Sequence, residues 1–106
     1  MTHEQWLVSR EPEAPPALAS CVRALLETHP QWDELSRTDA FIEASELLLR
    51  RVLEGGPMAR SSALNLLSAD ACVTWAFEAA ADDPSTIAAC AERATIGIAA
   101  IAAEFA

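Results

Sequence analysis

Apolar residues recur at three- and four-residue intervals along most of the chain, the spacing of amphipathic helices. From Ala17 to Thr28, Leu18, Cys21, Val22, Leu25 and Leu26 make one stripe that ends at His29-Pro30. A second stripe, Phe41, Ala44, Leu48 and Val52, predicts a helix capped by Ser36 or Thr38 and running to Leu53, with Asp39 near its positive end. Glu43, Glu46, Arg50 and Glu54 take the opposite side, and Glu46 and Arg50 stand in the favourable i,i+4 order for an ion pair. Glu54-Gly55-Gly56-Pro57 then reads as a glycine stop followed by a proline start.

The next segment, about 57–81, is apolar on two faces: Leu66, Val73, Phe77 and Ala80 on one, Leu64, Leu67, Ala71 and Trp75 on the other. Such a helix belongs in the middle of a bundle or under a partner. Asp82-Asp83-Pro84 breaks it, with Asp83 suited to cap the last helix. That helix carries a heptad-like seam of Ile87, Cys90, Ala94, Ile98, Ile101 and Phe105.

At the other end, Thr2-x-x-Gln5 matches a capping box, and Met1 with Trp6 matches a hydrophobic staple. A short helix over about 2–10 follows, then a proline-rich connection at 11–16. Residues 31–37 predict one irregular turn with Trp32 and Leu35 inward. With no alternating strand pattern anywhere, the expected fold is all-α. It is a single domain over 1–106, a small bundle of four to five helices with a C-terminal antiparallel helical hairpin.

Charge narrows the function classes. The 106 residues carry a formal charge of −9, and all seven cations are arginines, dispersed apart from Arg50-Arg51. Five arginines face ten carboxylates before Gly55, and two face six after it, so the charge divides evenly as −5 and −4. No nucleic acid and no membrane is expected as a partner: nucleic acid and anionic lipid both recruit proteins through clustered cations, and the only long apolar stretch, Ala94–Ala103, is ten residues, half of the ~20 that a membrane span needs. A polar, acidic start and three widely spaced cysteines, Cys21, Cys72 and Cys90, suggest a reducing, cytoplasmic setting.

Candidate chemistry is sparse. His3 and His29 stand alone, and Glu43-x-x-Glu46 has Glu where a di-iron bundle needs His, so neither a metal nor a cofactor is expected. The cysteines read as small buried hydrophobes. Asp70 falls beside an apolar face; if buried it needs Arg50, Arg51 or Arg93, and otherwise it faces a ligand beside Trp75. Trp6, Trp32 and Trp75 read as core anchors, with Trp6, on its tethered helix, the first choice for a partner contact. Gly97 and the alanines at 88, 91, 94, 99 and 102 allow a close backbone approach, within the chain or across a symmetric seam.

The expected function is a non-enzymatic protein-interaction or structural module, acting as a homodimer or accessory subunit. The alternative is a bundle that binds a small hydrophobic ligand in a cavity edged by Asp70 and Trp75. An enzyme is the least supported class.

Overall fold

The computed structural model describes residues 1–10, 14–56 and 60–106. Five α-helices follow one another: α1 (His3–Val8), α2 (Pro16–Thr28), α3 (Arg37–Gly55), α4 (Arg60–Ala80) and α5 (Ile87–Glu104). Short 3-10 turns occupy Pro30–Glu34 and Pro84–Thr86, and no strand occurs among the described residues, so the fold is all-α. The first part of the expected proline-rich connection and the expected helix start at Pro57 lie outside the described residues.

The helix ends form where the sequence chemistry puts them. Thr2 Oγ1 accepts from the Gln5 amide at 3.0 Å and Gln5 Oε1 accepts from the Thr2 amide at 2.9 Å, closing the capping box. Ser36 Oγ accepts from the Asp39 amide at 3.1 Å. Gly56, at φ +80°, ends α3 in a conformation that a side chain would strain. One cap differs from expectation: the Asp83 side chain accepts from Ser85 and so caps the 3-10 turn, and α5 starts only after it.

The N-terminal helix is part of the core. His3, Trp6 and Leu7, at positions i, i+3 and i+4, are all buried on one side of α1. His3 Nε2 donates to the Trp32 and Leu35 carbonyls at 3.0 and 3.1 Å, tying α1 to the first 3-10 turn. The Trp6 ring tilts against the fully buried Phe41 at 5.3 Å, and the Arg10 guanidinium lies 4.4 Å from its centroid. Phe41 also meets Trp75 at 6.0 Å. Trp32 is buried as expected, whereas Leu35 points outward, because the turn ends at Glu34 and the chain is extended at Leu35.

The most extensive helix pairing is between α3 and α4. Ser45 Oγ donates to the Ala69 carbonyl at 3.0 Å and Thr38 Oγ1 to the Ala76 carbonyl at 3.5 Å. Seven residues back along α3 correspond to seven forward along α4, so the two are antiparallel. Helix α5 runs parallel to α3, since Arg93 meets Asp39, Glu43 and Glu46 while Glu104 meets Arg50 further along both helices. The expected C-terminal pairing of α4 with α5 is the lesser of the contacts that α4 makes.

Candidate functional site

Helix α4 turns an unexpected side to the core. The residues it buries are Ser62, Ser68, Ala69, Cys72, Trp75, Ala76 and Ala80. Small side chains there let α4 lie close against α3, with the Ser45 hydroxyl reaching its backbone. The leucines go outward: Leu66 is 52% and Leu67 57% exposed, and Leu64 is exposed as well. Burying those side chains would stabilise by ~1.5–3 kcal/mol each, so the monomer forgoes much of that gain.

On the Leu66 side of α4 lies an apolar groove between α4 and α5. It encloses about 440 Å³ and is lined by Val73 and Phe77 from α4 and by Ala91, Ala94, Thr95, Ile98, Ala99 and Ala102 from α5. None of these side chains is ionisable. Leu66 stands seven and eleven residues before Val73 and Phe77, hence on the same side of the helix. Helix α5 adds exposed surface at Ile87, at Phe105 and above all at Ile96, which is 61% exposed. Only the middle of its predicted seam, Cys90, Ala94 and Ile101, is buried.

Asp70 is exposed, and none of the three arginine alternatives pairs with it among the described residues: Arg50 pairs with Glu104, Arg93 with α3, and Arg51 makes no ion pair with Asp70. By helical register it falls between Leu66 and Val73, at the edge of the apolar row. Trp75 and Trp6 are both in the core, where their neighbour is Phe41. Trp75 does line an open cleft of about 240 Å³, whose rim is Arg10 and Glu78 instead of Asp70.

No family model, curated protein or solved structure matches this chain.

The polar groups are largely occupied in holding the helices together. Arg93 Nη2 donates to Glu43 at 2.8 Å and Nη1 to Glu46 at 2.9 Å, while Nε stands 3.3 Å from Asp39. Burial works against the Arg93 charge, but the Glu46 hydrogen bond and the charges of Glu46, Glu43 and Asp39 outweigh it and raise its pKa. The three carboxylates step by four and three residues along α3, a stripe visible in the sequence, but nothing there names Arg93 as its partner. Arg50 bonds to Glu104 and not to Glu46, the i,i+4 neighbour expected. That bond holds the Glu104 carboxyl below its ordinary pKa.

Nucleophile chemistry finds little support in the thiols. Burial, with Cys21 adding to it, pushes the Cys72 thiol far up, and burial and Asp39 raise Cys90 against the pull of Arg93. His29 lies in a cleft with Glu43 and Glu46, but its Nδ1 is bonded to the Leu25 carbonyl at 2.8 Å and both carboxylates are engaged by Arg93. Among the described residues no group of three or more His, Cys, Asp or Glu side chains is placed to hold a metal ion.

Although the apolar stretch Ala94–Ala103 is only ten residues, the helical stretch Pro84–Glu104 is 21 residues and, by length and composition, long and apolar enough to cross a membrane. The run length missed this because isolated polar residues such as Thr86 and Glu92 interrupt a helix that is otherwise mostly Ala and Ile.

Proposed function

We propose that this chain is a protein-contact module, an accessory or self-associating helical bundle whose working surface is the α4–α5 face. One observation carries the reading: α4 buries Ser62, Ser68, Ala69 and Ala76 and turns its leucines to solvent, with Leu66 on the side of a charge-free groove. A contiguous apolar surface on a small domain marks an interaction site more often than a packing accident. The Arg93 cluster supports it by tying α5 to α3, so that the charged side of α5 is engaged there and its alanine side is left to the groove.

The test uses Leu66→Glu, at an exposed position. It is expected to leave the melting temperature within a degree or two while abolishing self-association in sedimentation, or capture of a partner subunit. Unchanged association in this variant refutes the reading.

A second reading retains a small-ligand bundle, favoured by the cleft at Trp75. There the apolar part of an amphipathic cation would pack against Trp75 while its charge meets Glu78 in competition with Arg10, 3.8 Å away. Quenching or shift of tryptophan emission in a ligand screen, lost in Glu78→Gln, distinguishes it.

A further inference from the structure

We infer that the occupant of the α4–α5 groove is a second copy of this chain, docked about a two-fold axis that passes beside Asp70. The inference rests on the protein-contact reading above. Three observations select a second copy from other proteins.

The first is charge. With −9 distributed over both halves of the chain, two copies repel wherever ordinary surface meets, and the groove walls are a place free of ionisable groups. A basic partner would be drawn to the carboxylates elsewhere, whereas the neutral groove walls suit an uncharged side chain, and the exposed Leu66 of a second copy supplies one.

Shape is the second. Exposed Leu66 stands near one end of α4, and the alanine-walled groove, on the same side of the helix at Val73 and Phe77, lies toward the other. Leu66 and Phe77 are separated by about 16 Å along the helix. A two-fold axis midway between them sets each copy's Leu66 into the other's groove, the self-complementary arrangement of an isologous contact.

The third is area. A face two helices wide and as long as α5 measures roughly 20 by 27 Å in projection. This is of the order of the ~800 Å² of accessible surface that a stable interface takes from each partner, and the whole chain has 6151 Å² to draw on.

The midpoint between Leu66 and Phe77 falls at residues 71–72, so the two Asp70 carboxylates oppose each other across the axis. The contact is therefore weak, and it strengthens as salt screens like charges.

Sedimentation of the full chain at low salt tests this directly. Asp70→Asn should tighten self-association at least about three-fold. The decisive arm is an equimolar mixture of native chain and Asp70→Lys, which should associate more tightly than either component alone, because only a two-fold contact brings position 70 onto itself. A mixture no tighter than its components overturns the inference, as does a native chain that stays monomeric at millimolar concentration. If such a monomer binds another purified protein through a contact that Leu66→Glu abolishes, the protein-contact reading survives and the second copy falls. Flotation of the monomer with phosphatidylcholine vesicles, lost in Leu66→Glu, overturns both in favour of a lipid surface.

Discussion

The carboxylate of Glu46 rests against Gly97: a Cβ at that position would stand 3.0 Å from Glu46 Cδ and overlap its Oε1. A glycine inside a helix ordinarily costs about 1 kcal/mol relative to alanine. Here its bare backbone makes room for the carboxylate that receives Arg93. In a Glu46→Ala background, Gly97→Ala should therefore stabilise by about 1 kcal/mol, and in the native chain that gain should vanish or reverse. Chemical denaturation of the four variants measures the coupling; additivity would remove Gly97 from the Arg93 site.

Arg93 and Arg50 both join α5 to α3, yet they should differ in weight. Arg93 serves three carboxylates and is the more enclosed, whereas the Arg50–Glu104 pair lies in solvent. Arg93→Met should cost about 1 kcal/mol, a value already reduced for solvent screening, and the loss should shrink in high salt. Arg50→Met should leave the denaturation midpoint unmoved. Equal losses would mean that apolar contacts alone, at Cys90, Ala94 and Ile101, seat α5.

The thiols give a pH signature. The Cys72 pKa is raised in the folded state above its ordinary 9.0, so the unfolded chain ionises first as pH climbs. Its contribution is complete below pH 9 and is lost above it, by up to about 1.4 kcal/mol per pH unit. Cys72→Ala should flatten the alkaline limb of the stability curve while lowering the plateau. A native curve flat to pH 10.5 would contradict the burial of this thiol.

Truncation at α1 should be felt throughout the fold. Trp6→Ala removes a ring buried against Phe41 and should cost about 3–5 kcal/mol, a large part of the ~5–15 kcal/mol that holds a typical domain. Trp6→Phe should retain most of it. Near-ultraviolet circular dichroism follows the packing, since Trp6 and Trp75 share Phe41 as neighbour. If Trp6→Ala melts like the native chain, α1 is an appendage and not part of the core.

Helix positions were legible in the sequence because capping is local chemistry: Thr2 with Gln5, and Ser36 with Asp39, act within one turn. The inward side of α4 was not. Periodicity ranks faces by hydrophobicity and pointed to the leucines, whereas the α3 contact selects for small volume and takes Ser62, Ser68, Ala69 and Cys72. The partners of Arg93 and Arg50 are 47 to 54 residues away along the chain, beyond any reading of spacing. Asp70 was placed beside an apolar face, but whether that face lay inside or outside was decided by packing.

The hydroxyls of Thr38 and Ser45 give α3 and α4 a shared ruler, for each reaches a carbonyl at a matching distance from the connection between the helices. A single-residue insertion between Thr38 and Ser45 breaks the match and rotates everything beyond it by about 100°. A compensating insertion between Ala69 and Ala76 restores the two lengths together. Length changes in these helices should accordingly be tolerated only in pairs, which makes the equality of the Thr38–Ser45 and Ala69–Ala76 spacings, more than the identity of the residues between them, the quantity that any descendant of this chain must keep.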